Sequence, residues 1–203
     1  MSKSMTASFI FDVDGTLTLS RGRIDEAFRL WLCDFADKHN IYLVTGSDKV
    51  KTIEQVGEYL YNKCKTVYQC GGNDVWVGDK NIRRANINWD AHTIGFFSNE
   101  LINSKYTIHT GVHSELRPGL INFSIVGRLA DLHQRADYVE YDREVQERKA
   151  IVERFNKRFP QYQASVAGEI GIDITVKGCN KSQILKDFDE AGLYFEDIIF
   201  FGD

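Results

Sequence analysis

The sequence predicts an α/β protein, in which a core of parallel strands flanked by helices is interrupted by an α+β insert. Three observations carry this. Apolar runs alternate with amphipathic segments over the first third of the chain, as in a βαβ layout. From about Gly72 the texture turns to hairpins. After Lys181 the core pattern returns, and Ile198-Ile199-Phe200-Phe201 runs into Asp203 much as Phe9-Ile10-Phe11 runs into Asp12.

The elements follow in order. Phe9 to Phe11 reads as a buried parallel strand, whose carboxyl end is where open α/β sheets bind ligands. Asp25 can cap a helix with Ala27, Phe28, Leu30, Trp31, Leu32 and Phe35 on one face, ending near His39 and Asn40. Ile41 to Val44 is the second strand. Thr45-Gly46-Ser47-Asp48 follows, then a helix from Lys49 to about Tyr61 that turns Val50, Ile53, Val56 and Leu60 inward. Thr66 to Gln69 is the third strand, and 75–80 a hairpin with a Gly-Asp turn. The domain boundary is placed there, giving a core of 1–78 and 179–203 and an insert of 79–178. Within the insert, strands are expected at 106–112, 120–126, 163–167 and 170–176, and helices at 89–103 and 141–159. A helix through Ile184, Leu185 and Phe188 precedes the closing strand.

Composition narrows the function classes. With 203 residues, 43% hydrophobic and 27% charged, the chain can bury a core of one large or two small domains. A net charge of -4 argues against nucleic acid or an anionic membrane as the main partner. No apolar stretch approaches spanning length, and the amino terminus lacks a secretory segment, so a cytoplasmic location is expected. Cys33, Cys64, Cys70 and Cys179 show no C-x-x-C spacing and read as free thiols. The five histidines show no metal-ligand spacing.

The chemistry concentrates in Asp12-Val13-Asp14-Gly15-Thr16-Leu17-Thr18. Two aspartates one residue apart at a strand end can share Mg2+, Asp12 through its side chain and Asp14 through its main-chain carbonyl. The Asp14 side chain is then left for proton transfer. Thr45, Gly46 and Ser47 offer a hydroxyl and amides at a helix start, suited to a transferring phosphoryl group. Lys181 supplies a point charge near the closing strand. Asp203 adds a third carboxylate for the metal.

The first of these stretches resembles the first motif of the haloacid-dehalogenase (HAD) superfamily. The resemblance implies a Rossmann-like HAD core with an inserted C2b-type cap, Asp12 as nucleophile and Asp14 as general acid and base. Further pieces are similar to the eukaryotic-type phosphomannomutase family across nearly the whole chain. They are Arg21 with Ile24-Asp25, Gly46-Ser47-Asp48 with Lys51 and Glu54-Gln55, Arg117-Pro118-Gly119-Leu120-Ile121-Asn122 through Gly127-Arg128, and Phe200-Phe201-Gly202-Asp203. On that resemblance Arg21, Arg117, Arg128 and Arg135 grip the sugar phosphate, since guanidinium forks hold phosphate bidentately, and Gly171 and Asp173 line the sugar site. It also implies Mg2+, a hexose 1,6-bisphosphate activator, a homodimer formed through the cap and a place feeding GDP-mannose synthesis.

The chain departs from the family inside the site. The family's Ser-Phe-Asp becomes Gly171-Ile172-Asp173, its Glu-Asn-Gly becomes Cys70-Gly71-Gly72-Asn73, and its Gly-Gly-Ser becomes Thr45-Gly46-Ser47 as in sugar phosphatases of the superfamily. The family also continues beyond the position of Asp203 into a glycine-rich loop with further metal ligands, so the natural polypeptide is expected to extend a few tens of residues past it, with an incomplete core until then. The expected function is interconversion of mannose 6-phosphate and mannose 1-phosphate through an aspartyl-phosphate and a bisphosphate. The alternatives are a Mg2+-dependent sugar-phosphate phosphatase, a hydrolase in which water attacks the aspartyl-phosphate, and a binding protein with a degenerate site.

Overall fold

The structure, a computed structural model, describes residues 7–19, 22–193 and 197–202. The chain divides into two compact units, 1–85 with 179–203, and 86–178.

In the first unit β1 (Ser8–Asp12), β2 (Asn40–Val44) and β3 (Thr66–Gln69) run parallel, and β4 (Asp74–Val77) and β5 (Lys80–Arg84) extend the sheet antiparallel. β10 (Ile198–Phe201) pairs parallel with the other side of β1, giving the order β10-β1-β2-β3-β4-β5. The hairpin expected to open the insert therefore belongs to the core. Because β4 continues the ladder of β3, the boundary falls at 86 rather than 79.

Strand alternation decides which side chains meet which helices. Phe9 and Phe11 pack with Leu32, Leu60 and Tyr61 from α1 (Glu26–Ala36) and α3 (Glu58–Lys63), and with Val56 from α2 (Lys49–Val56). Ile10 turns the other way, into a cluster with Val44, Tyr68, Ile184 and Phe188, the last two from α7 (Gln183–Glu190). Asp12, two residues on from Ile10, thus falls on the face that α7 covers.

Two expectations here change. The helix expected over 49–61 is two helices, because Gly57 has φ +82° and ψ 144°, a conformation that only glycine adopts readily. On α1 the buried residues are Leu32 and Cys33, while Phe28, Leu30 and Trp31 are exposed. Instead of entering the core, Phe28 and Trp31 stack at 5.7 Å, and Trp31 and Phe35 at 5.2 Å.

In the second unit β6 (Ser114–Arg117), β7 (Leu120–Phe123), β8 (Tyr162–Ala167) and β9 (Gly171–Val176) form an antiparallel sheet in the order β6-β7-β9-β8. Its helices are α4 (Ala91–Asn103), α5 (Leu132–Val145) and α6 (Glu147–Arg158). Phe97, Ile121, Phe123, Phe155, Ile172 and Ile174 fill the core between them. No strand forms over 106–112; Thr110 and Arg128 exchange isolated main-chain bonds of 2.9 Å with Val126 and Val112. The outer strand is β6, turned into β7 by Pro118-Gly119. The helix expected over 141–159 starts at Leu132, where Asp131 and Gln134 form a capping box, and it breaks at Gln146, whose φ of 56° is left-handed.

Among the described residues no helix is long and apolar enough to cross a membrane. The four cysteines are free thiols.

Candidate active site

Asp12 ends β1 buried between β10 and β2. Its Oδ1 accepts from the Val13 amide at 2.7 Å, and its Oδ2 is paired with the Lys181 ammonium. Alternation explains the pairing: Asp12 faces the α7 side of the sheet, and Lys181 lies just before α7. The chain then turns tightly. The Val13 carbonyl accepts from the Leu17 and Thr18 amides at 3.0 Å each, and the Gly15 amide returns to the Thr18 carbonyl at 2.8 Å. Gly15 takes φ 80°, so the turn needs a residue without a Cβ there.

That turn presents Asp14 to α2. Asp14 Oδ1 accepts from Gln55 Nε2 at 2.8 Å, and Oδ2 from Ser47 Oγ at 3.4 Å. Gln55 also donates to Thr18 Oγ1 at 3.1 Å. Sequence reasoning quoted Gln55 as a match and gave it no role. The signal was available, since a glutamine flanked by buried Thr52 and Val56 lies on the inward face of α2.

The second motif lies between β2 and α2. The Thr45 amide donates to the Tyr68 carbonyl at 2.8 Å, and the Ser47 amide to Thr45 Oγ1 at 3.1 Å. These two amides are engaged within the protein, and α2 is capped by the Asp48 carboxylate, which accepts from the Lys51 amide at 2.9 Å. What Ser47 brings to the acid pair is its hydroxyl.

In the second unit the expected arginines gather on one carboxylate-rich surface. Glu115, Asn122 and Asp173 are cross-strand partners in one row of the sheet, and Asn122 Nδ2 donates to Asp173 Oδ1 at 2.6 Å. Arg117 holds Glu115 bidentately at 3.1 and 2.8 Å, and Arg128 Nε reaches the same carboxylate at 3.0 Å. Arg135 pairs with Glu169 at 2.7 Å, and its Nη1 is buried with no hydrogen-bond partner among the described residues. Burial lowers the Arg128 guanidinium from its usual range; Glu115 opposes this, Arg117 and Arg135 add to it, and Asp173 again opposes it. Three guanidinia and two carboxylates thus share one electrostatic neighbourhood. At Gly171 an added Cβ would lie 2.9 Å from Asn122 Nδ2 and 3.0 Å from the Ala167 carbonyl. The space a side chain would need there is taken by the amide that binds Asp173. Arg21 and Asp203 lie outside the described residues.

Among the described residues no group of three or more His, Cys, Asp or Glu could hold a metal. The first unit offers a cation the carboxylate of Asp12 and the oxygens of Asp14. That donor set fits Mg2+, which is held by one or two carboxylates and keeps water and phosphate for the rest of its shell.

Residues 28–203 match the family of eukaryotic phosphomannomutases. The phosphomannomutase of Saccharomyces cerevisiae is 32% identical over 202 residues, spanning 96% of this chain and 79% of the yeast protein. Phosphomannomutase 2 of Dictyostelium discoideum is 28% identical over 219 residues, spanning 100% of this chain and 84% of its own. A haloacid dehalogenase-like hydrolase from Bacteroides thetaiotaomicron superposes with a TM-score of 0.65 at 12% identity, covering 98% of this chain and 82% of that one. A sugar phosphatase of HAD subclass IIB superposes with a TM-score of 0.58 at 14% identity, covering 96% and 80%. At such identities the solved structures establish the HAD fold alone.

Proposed function

We propose that this chain, which belongs to the eukaryotic phosphomannomutase family, interconverts mannose 6-phosphate and mannose 1-phosphate through an aspartyl-phosphate at Asp12. The observation that carries the reading is the pairing in one turn of a lysine-bound carboxylate, Asp12, with a second one, Asp14, held by Gln55 and Ser47. A carboxylate oxygen of Asp12 attacks the phosphorus of a hexose bisphosphate while the bond from phosphorus to the sugar oxygen breaks. Asp14 gives that oxygen its proton. The monophosphate turns over, its other hydroxyl loses a proton to Asp14, and the same phosphoryl group passes back from Asp12. Lys181 balances charge on Asp12 throughout. Asp12 and Asp14 would hold Mg2+, which when bound would neutralise phosphate charge.

The arginines of the second unit support a mutase, which must grip a phosphate remote from the reacting one. The guanidinia of Arg117 and Arg128 are oriented by Glu115, and that of Arg135 by Glu169. Such preorganisation suits bidentate binding of a phosphate. A second reading is a sugar-phosphate phosphatase, in which water attacks the aspartyl-phosphate. Gly171 favours it, since the hydroxyl that the family uses at this position is missing.

31P NMR of the protein with mannose 1-phosphate, Mg2+ and a trace of glucose 1,6-bisphosphate separates the two. Growth of the mannose 6-phosphate signal is the expected result. Growth of inorganic phosphate alone would establish the phosphatase instead.

A further inference from the structure

The segment that replaces the family's Glu-Asn-Gly is wired to both sides of Lys181. Asn73 is buried, and its Nδ2 donates to the Cys70 carbonyl at 2.8 Å and to the Cys179 carbonyl, two residues before Lys181, at 3.3 Å. Two residues after Lys181, Gln183 Nε2 donates to the Gly71 carbonyl at 3.1 Å and to Asn73 Oδ1 at 3.3 Å. The same segment carries the second motif, because the Gly71 amide donates to the Thr45 carbonyl at 2.9 Å and the Cys70 amide to the Ser47 carbonyl at 3.0 Å. Cys70, Gly71 and Gly72 all take positive φ, at 51°, 67° and 87°. That run folds the segment back so that the Gly71 carbonyl and the Asn73 side chain meet residues 179–183.

Lys181 needs such support. Its side chain is about half exposed, and a lysine stem free to rotate loses rotamer entropy on being fixed. We infer that Asn73 and Gln183 are positioning residues that set the main chain on either side of Lys181 and so hold its ammonium on Asp12. The inference rests on the phosphoryl-transfer role proposed for Asp12. It assigns to this chain's own Cys70-Gly71-Gly72-Asn73 and Gln183 a task distinct from binding substrate: keeping Lys181 and the Thr45–Ser47 turn in register around one phosphoryl group.

The test makes Gln183→Met and Asn73→Asp in the full chain, each alone and combined with Lys181→Ala. The first readout needs no activity. 13C relaxation of the Lys181 Cε, assigned by its loss in Lys181→Ala, should show a more mobile side chain in both variants. The second is kcat/KM for mannose 1-phosphate isomerisation and for p-nitrophenyl phosphate hydrolysis. Each variant should lose roughly tenfold, and this loss should shrink below about twofold when Lys181 is already Ala. Unchanged Cε relaxation, or the same loss with and without Lys181, overturns the inference. Should Asn73→Asp fail to fold, Gln183→Met at the partly exposed start of α7 decides alone. If isomerisation is absent in the parent protein but hydrolysis is present, the mutase reading fails and the positioning role is judged on hydrolysis. If both are absent, relaxation decides it.

Discussion

Gln55 Nε2 lies 2.8 Å from Asp14 Oδ1 and 3.1 Å from Thr18 Oγ1, so one buried amide from α2 fixes the proposed acid and base and braces the turn that carries it. Gln55→Ala removes a hydrogen bond to a charged group, worth about 1.5–3 kcal/mol, or roughly ten- to a hundredfold in rate. The expected outcome is a fall in kcat with KM nearly unchanged, because Gln55 would act by orienting the proposed acid and base. Steady-state kinetics on a variant with native circular dichroism checks this. A rise in KM at constant kcat would instead place Gln55 in substrate binding.

The strand that ends in Asp12 was legible because its pattern is local: an apolar run, two acids and a glycine turn need no knowledge of the rest of the chain. Lys181 was legible for the same reason, once the closing strand was found. What sequence reasoning missed depends on partners distant in sequence or on single left-handed residues. The hairpin over 75–84 looks the same whether it pairs with β3 or opens an insert, and only the β3–β4 ladder assigns it to the core. The expected helix over 49–61 fails at Gly57, and the one over 141–159 fails at Gln146, a non-glycine in the left-handed region that no propensity would have flagged. The amides of Thr45 and Ser47 are engaged within the protein by the Tyr68 carbonyl of β3 and by the Thr45 hydroxyl, partners that the motif alone does not name.

Asp12→Asn should abolish both isomerisation and hydrolysis while leaving the fold intact. Asparagine is nearly isosteric and keeps an oxygen for the Val13 amide, but it cannot form the acyl phosphate. The check is turnover by 31P NMR beside a thermal melt, on protein shown by mass to be free of deamidation. Near-parental turnover would remove the covalent mechanism.

Arg117→Ala and Arg128→Ala should slow isomerisation more than hydrolysis of a simple aryl phosphate. On the mutase reading each removes a charge-assisted contact to the remote phosphate, worth about 1.5–3 kcal/mol, which a small ester does not have. Both arginines share Glu115 at 2.8 and 3.0 Å, so the double variant should lose less than the product of the single losses. Equal losses on both substrates would favour a general phosphatase.

Gly171→Ser restores the hydroxyl of the family at a position where this chain has no room for it. The new Cβ meets Asn122 Nδ2 at 2.9 Å and the Ala167 carbonyl at 3.0 Å, so Asn122 must leave Asp173 or the β8–β9 hairpin must shift. The expected cost is about 1–3 kcal/mol of stability, read as a lower urea midpoint. Asn122→Ala combined with Gly171→Ser should recover part of it by freeing the space. A serine accepted with no loss would mean that Asn122 has another rotamer available.

Three buried phenols predict how stability responds to alkali. Tyr61 is raised by burial and then by Asp74, Tyr68 by burial and then by Asp187, and Tyr138 by burial and then by Glu147. Cys64 is raised by burial as well. A raised acid keeps its proton in the folded protein at a pH where the unfolded chain has lost it. The associated stability is therefore complete below the unfolded pKa and is lost as pH rises towards the folded one. Thiols of the unfolded chain titrate near pH 8.5 and phenols near 10. The urea midpoint should thus be flat with respect to these groups below about pH 8, fall gently above it through Cys64, and fall more steeply above about pH 10, by up to about 1.4 kcal/mol per pH unit for each phenol. Tyr138→Phe loses the 3.0 Å hydrogen bond to Glu147, so it should lower the midpoint at pH 7 and flatten the alkaline fall. A midpoint that held constant from pH 8 to 11 would show that these phenols ionise as readily in the folded protein as in the unfolded chain.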